Sequence, residues 1–355
     1  MKLFITLLII LAGTLFVGFY NTRNTELPYA ATMREAASLA QEWFTVIELQ
    51  KRERGIRSDT YSNVPNHFMI GDDWSDITTT LGSLEAKEAA TNPDFSALVV
   101  RLLHEAGIQQ DDTVGVILSG SFPSISISVL AALQTLGIDA VVMSSLGAST
   151  YGANQPEATW IDMERWIRRK GGLKYRSELV SMGAGHDNGN GLQEEGRIAL
   201  QLAAERNHLE LYIPESVTTS IMHKTDLLSD GGISLLINVG GNMAAMGACA
   251  HSLNIPNGLN LSMKTCSDTT RGIISRLSEK GMPFIQFLNI KELAVTYGID
   301  MAPGNRYADS TNLYHTTRSN RLVSVLVLIF CVIPIAFLKK EVKKTARRED
   351  GQLFN

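Results

Sequence analysis

The sequence predicts an α/β chain, with a mainly parallel sheet and flanking helices in Rossmann-like layering, flanked in turn by N- and C-terminal transmembrane helices. Three observations predict it. Short continuous apolar runs at Thr113–Leu118 and Asp139–Met143 have the composition of strands buried on both faces. A helix-length segment separates them, with Pro123 near its start and Gly137 past its end. Strand, crossover helix and strand within about 30 residues make a βαβ unit. Finally, two uncharged apolar runs, Leu3–Tyr20 and Leu322–Leu338, bracket everything else.

At about 1.5 Å per residue the two end runs span roughly 27 and 26 Å, close to a bilayer core. The first is longer than the apolar region of a cleaved signal peptide and reads as an uncleaved anchor. Lys2 precedes it, and Lys339, Lys340, Lys343, Lys344, Arg347 and Arg348 follow the second. Cations beside a span are held on the cytoplasmic side. The expected organisation is therefore a transmembrane anchor (1–20), an extracytoplasmic α/β domain (21–321), a transmembrane helix (322–338) and a basic cytoplasmic tail (339–355) set against anionic lipid.

Between the ends, Met33, Ala37, Ala40, Trp43, Phe44 and Ile47 recur at helical spacing, so Ala30 to Gly55 reads as an amphipathic helix with Lys51, Arg52 and Arg54 in its last turn. A polar, irregular stretch follows from Arg57 to Asp76. Asn92 and Pro93 then suit a cap and first turn, opening a helix that runs to Gly107. After the βαβ unit, Trp160–Lys170 is a helix stopped by Gly171 and Gly172, and Leu192–Arg206 is another. Leu209–Ile213, Ile233–Val239 and Phe284–Leu288 read as strands. Asn242–Ser252, Thr269–Lys280 and Ile290–Tyr297 read as helices between or after them.

Charge narrows the partners. Residues 21–321 carry 25 Lys and Arg against 33 Asp and Glu, a balance of −8. No nucleic-acid partner is expected of such a domain, and no broad cationic face for a polyanion. Cys249 and Cys266 lie in the same segment, and their spacing leaves a disulfide open. No Cys/His spacing suits zinc, so neither metal nor cofactor is expected.

Three loops of small polar residues follow predicted strands: Ser119–Ser124, Ser144–Gly152 and Gly240–Asn242. In open α/β sheets the ligand crevice lies beyond the carboxyl ends of the strands. Helix N-termini there carry partial positive charge, and glycine lets backbone approach a ligand. The candidate ligand-binding residues are accordingly Ser119, Gly120, Ser121, Ser124, Ser144, Ser145, Gly240, Gly241 and Asn242, suited to a carboxylate or phosphate. None of the loops matches a dinucleotide fingerprint, a Walker A loop or a nucleophile elbow. A fourth loop, Gly183–Gly191, carries His186 and Asp187 ahead of Glu194 and Glu195 and is too glycine-rich to hold one shape unaided. A His beside carboxylates could work as a general base or bind a metal, and His223 with Asp226, and His251, are further conceivable participants.

The segments Gly115–Ser124, Met143–Asn154 and Asn238–Asn242, with an apolar run at each end, resemble the bacterial poly-gamma-glutamate system protein family across most of the chain. That resemblance implies a membrane-anchored accessory component of poly-gamma-glutamate synthesis or export, partnered by the synthase or export subunits at the cell membrane. It supplies no catalytic residue. The alternative is an extracytoplasmic hydrolase or transferase acting on the γ-glutamyl polymer, with Ser119 or Ser121 as nucleophile and a base such as His186 brought near in space.

Overall fold

A computed structural model describes residues 2–19, 22–56, 61–249, 252, 254–263, 270–301, 311–320, 322–333, 335, 336 and 339. The chain divides into two compact units, Met1–Pro28 with His315–Asn355, and Tyr29–Tyr314.

In the first unit, helix α1 (Lys2–Phe19) leads into strand β1 (Thr22–Glu26), which pairs antiparallel with His315–Ser319. A second helix runs over 322–333. A Cβ at Gly13 would lie 2.7 Å from Cys331 Sγ and 3.1 Å from Val327 Cγ1, so the two helices meet where α1 has no side chain.

The expectation of flanking transmembrane helices is not met: among the described residues, no helix is long and apolar enough to cross a membrane. Helix α1 has 18 residues and begins on a charged one, Lys2. The assignment of 21–321 to the outside and of both ends to the inside depends on those spans and goes unsupported with them. Except for Lys339, the basic tail lies outside the described residues.

In the second unit, α2 (Ala30–Glu53) buries the predicted stripe from Met33 to Ile47. Strand β2 (Thr78–Thr80) and helix α3 (Leu84–Ala90) follow, and the Ser83 side chain caps α3 by accepting the Ala86 N–H. The Asn92 side chain accepts the Asp94 N–H at 2.9 Å as α4 (Asp94–Glu105) begins. Then come β3 (Thr113–Ser119), α5 (Pro123–Leu136), β4 (Asp139–Ser145) and the two-residue β5 (Ala148–Ser149). Thr159 and Asp162 close a capping box on α6 (Trp160–Lys170). Next are β6 (Leu179–Ser181), α7 (Glu194–Arg206), β7 (Leu211–Tyr212), α8 (Val217–Asp230) and β8 (Leu235–Val239). The described part of the unit ends with α9 (Met243–Met246), β9 (Gly258–Asn260), α10 (Ile273–Glu279), β10 (Phe284–Phe287), α11 (Ile290–Tyr297) and α12 (Thr311–Tyr314).

Seven strands form one sheet in the order β7-β6-β4-β3-β8-β10-β9, parallel throughout except for β9. Helices α2, α4 and α5 pack together, as do α8, α9 and α10. With the latter group, Ile117, Met143, Leu236, Ile221 and Ile274 make one apolar core. The chain runs outward from β3 through β4, β6 and β7, and then returns to place β8 on the other side of β3. The strand order therefore reverses between β3 and β8.

Some predicted elements contract. The strand expected over Leu209–Ile213 keeps two residues. The helix expected over Asn242–Ser252 stops at Met246 because Gly247 turns to φ 77° and bridges to Arg271. Cys331 is a free thiol and Cys249 is disulfide-bonded, while Cys266 lies outside the described residues.

Candidate functional site

A reversal of strand order leaves the loops after two neighbouring strands diverging to opposite faces, which opens a crevice at their carboxyl ends. Here those strands are β3 and β8. A cavity of about 580 Å³ lies at that point, reached by Ser119, Ser121 and Phe122 after β3, Ser145, Gly147 and Ser149 after β4, and Gly241, Asn242 and Met243 after β8. Thr79 to Ser83, Ala86 and Lys87 close a further wall, as do Ala184, Gly185 and the segment Leu288–Lys291. Three loops far apart in sequence thus face one space.

Local geometry explains how they come so close. Gly120 donates its N–H to the Ser145 carbonyl at 2.9 Å and accepts the Ala153 N–H at 2.7 Å. A Cβ on Gly120 would sit 2.5 Å from the Leu146 carbonyl oxygen, so only glycine lets the first two loops touch. Gly240 holds φ 90°, with Ser119 Cβ 3.0 Å from where its own Cβ would be. That contact packs the end of β8 onto the end of β3. Asn242 accepts the N–H groups of Ala244 and Ala245, which starts α9 and turns the chain away from the sheet.

Of the nine candidate ligand-binding residues, Ser119, Ser121, Ser145, Gly241 and Asn242 line the cavity. The other four do not, and each has another place. Gly120 and Gly240 are the close-approach positions just described. Ser124 is buried in the first turn of α5. Ser144 is occupied in the interior, 2.6 Å from Ser177 Oγ and accepting the Trp160 indole N–H at 3.1 Å. Strand alternation accounts for the split, since Ser144 and Ser145 point to opposite faces.

The residue that the sequence reading misses is Lys87. It is 3% exposed, yet its side chain lines the cavity. Its ammonium group donates to Ser149 Oγ at 2.9 Å and to the Ser121 carbonyl, and lies 3.5 Å from the centroid of the Phe122 ring. Burial pulls its pKa down from the ordinary lysine value to about 7. Ser149 in turn donates its backbone N–H to Ser121 Oγ at 3.0 Å, and Ser121 donates its N–H to Ser119 Oγ at 3.1 Å. Backbone N–H groups therefore tie the Ser119, Ser121 and Ser149 positions together along the floor. Nothing in the sequence marks Lys87, one cation among 32 in an unassigned stretch.

The glycine-rich loop is not shapeless. Asp187 is fully buried beneath it, accepting from Ser181 Oγ at 2.8 Å, Ser220 Oγ at 2.5 Å and Lys224 Nζ at 2.5 Å. Ala184, His186 and Asp187 all sit at positive φ, a fold the ion pair holds in place. His186 points outward, exposed, and does not line the cavity, so the base proposed with Ser119 or Ser121 is not at hand. His223 lies against Tyr212 instead, the ring centroids 4.9 Å apart and the planes tilted by 39°, and His251 lies outside the described residues. Among the described residues, no group of three or more His, Cys, Asp or Glu could hold a metal ion.

A second recess of about 280 Å³ gathers Arg165, Arg168, Arg169 and Arg176 around the buried Glu164, whose pKa is raised by burial. This local cationic cluster is invisible in a net charge that is negative overall. Compared with protein-family models, with characterised proteins and with solved structures, the chain matches none.

Proposed function

We propose that this chain is an accessory component of poly-gamma-glutamate synthesis or export whose crevice receives a carboxylate-bearing segment of the polymer. One observation carries the reading: among the described residues, the ionisable side chains lining the cavity are two lysines, Lys87 and Lys291, with no Asp or Glu beside them. In a segment with a balance of −8, such a wall selects an anion locally. The hydroxyls of Ser119, Ser121 and Ser145 supply donors, and Lys291 stands exposed at the same wall, where its present partner, Glu85, is itself mostly exposed. An exposed pair of that kind is worth little and yields readily to a ligand carboxylate. In this reading the partners are the polymer and the synthase or export subunits at the cell surface, with the body outside the cytoplasm and anionic lipid near the basic tail.

Calorimetry with a γ-linked glutamate pentamer tests it. A Cβ on Gly241 meets only Leu288 Cδ1, at 3.5 Å, so Gly241→Val fills the cavity without disturbing the core. A charge-assisted hydrogen bond contributes about 1.5–3 kcal/mol, so Lys291→Gln and Gly241→Val should each weaken binding by about tenfold or more. Equal affinity in all three proteins would reduce these loops to ordinary turns.

A further inference from the structure

Among the described residues, three lysines are almost wholly buried: Lys51, Lys87 and Lys224. Two of them have evident electrostatic partners. Lys224 pairs with Asp187 at 2.5 Å, and Lys51 donates to Gln155 at 2.8 Å in the field of Asp72. Among the described residues no carboxylate pairs with Lys87, and of the three only Lys87 lines the cavity. A buried amine without a counter-charge favours its neutral form, which is a base. Its neighbour is a hydroxyl: Ser149 Oγ lies 2.9 Å away, and Ser149 lines the same cavity. The surroundings hold the pair together. Ser149 is fixed in the short β5 strand beside β2, with its N–H tied to Ser121. A Cβ on Gly82 would lie 2.9 Å from Ser149 Oγ and 3.3 Å from Lys87 Cε, so the backbone closes directly over both groups.

We propose that Ser149 and Lys87 are a nucleophile and general base for acyl transfer from an amide entering the cavity. The neutral amine of Lys87 takes the proton from Ser149 Oγ as that oxygen bonds to the amide carbon. The tetrahedral oxyanion collapses, the C–N bond breaks, and the Lys87 ammonium gives its proton to the leaving nitrogen. Ser149 then carries the acyl group as an ester. Water attacks the ester carbon and gives its proton to Lys87. The C–Oγ bond breaks, and the proton returns to Ser149. The net change is amide plus water to carboxylic acid plus amine, with both residues restored. Lysine pulled down to about 7 divides evenly between its two forms near neutral pH, which suits a group that both takes and returns a proton. The substrate class, a γ-linked amide beside carboxylates, rests on the crevice reading above; the pair itself does not.

The experiment uses the full chain and a fluorophosphonate probe, with adducts located by intact mass and peptide mapping between pH 5.5 and 9. The expected result is one adduct, on Ser149, forming faster as pH rises and levelling off above an inflection near 7. Lys87→Met should slow it by about a hundredfold or more, the usual contribution of a positioned base. Lys87→Arg keeps a cation and its donors but cannot release a proton, so it should show the same loss even where the Met variant fails to fold. No adduct on Ser149, or one forming equally fast in Lys87→Arg, overturns the proposal. The γ-glutamate pentamer separates the two readings. Cleavage by the wild type and not by Ser149→Ala supports both. Binding by Ser149→Ala without cleavage by the wild type overturns acyl transfer and keeps the crevice. A Ser149 adduct in a protein that does not bind the pentamer keeps the pair and overturns the polymer reading.

Discussion

Replacing Lys87 by Met should change how stability depends on pH, by an amount that the burial of this one amine sets. In the folded protein the amine has a pKa of about 7, against about 10.4 in an unfolded chain. Between those values the unfolded state holds the proton and the folded state does not. Stability therefore rises with pH across that window, and the contribution is absent below about 7, where both states are charged. The slope approaches about 1.4 kcal/mol per pH unit once the folded amine is neutral and is half that at pH 7, so raising the pH from 7 to 9 should stabilise the wild type by about 2 kcal/mol more than Lys87→Met. Lys51 is also pulled down to about 7, but it adds the same slope to both proteins and cancels in the difference. Urea titrations at pH 7, 8 and 9 measure it. Methionine matches the lysine stem in length and needs no hydrogen bond, so the variant should fold and gain most in relative stability at the low end of the range. Parallel stability curves for the two proteins would refute the reasoning, because they would mean that the Lys87 amine stays protonated in the folded state throughout.

Gly120→Ala should lower stability by about 1–3 kcal/mol and abolish pentamer binding together, because the new methyl group meets the Leu146 carbonyl oxygen at 2.5 Å and pushes the first two loops apart. Thermal unfolding and calorimetry read the two effects, and a fully stable variant would show that the loops can separate without strain. Asp187→Asn keeps a side chain that tolerates φ 62° but leaves the buried Lys224 ammonium without its counter-charge. A loss of about 3–5 kcal/mol is expected in urea unfolding, and a loss under 1 kcal/mol would show that Ser181 and Ser220 carry the site.

What could be read from the chain divides along a physical line. The βαβ unit, the buried strands and the three loops were legible because each depends on a local pattern: apolar runs, a proline and a glycine at the ends of α5, and small polar residues after strands. The reversal at β3 and β8 makes those loops neighbours, and it depends on which side of β3 the returning chain joins. No local pattern encodes that choice, but the carboxyl-end rule for parallel sheets anticipates its consequence. Short elements escaped for a related reason. Strand β6 and helix α3 are too brief to show a period, and α3 is the element that delivers Lys87 to the cavity. The burial of Lys87 is a product of tertiary enclosure by Phe122, Ser121 and Ser149, residues 34 to 62 positions away in sequence. Lysine in a helix ordinarily marks a solvated face, so the same residue type gives opposite meanings inside and outside the fold. The glycine-rich loop inverts expectation in the same way, since one buried carboxylate and a lysine 37 positions later hold it where composition alone allows it no fixed form. In both places the chemistry follows from a charge removed from water. At Asp187 that charge has a partner, and the result is a fixed loop. At Lys87 no carboxylate among the described residues answers the charge, and the result is an amine free to take a proton.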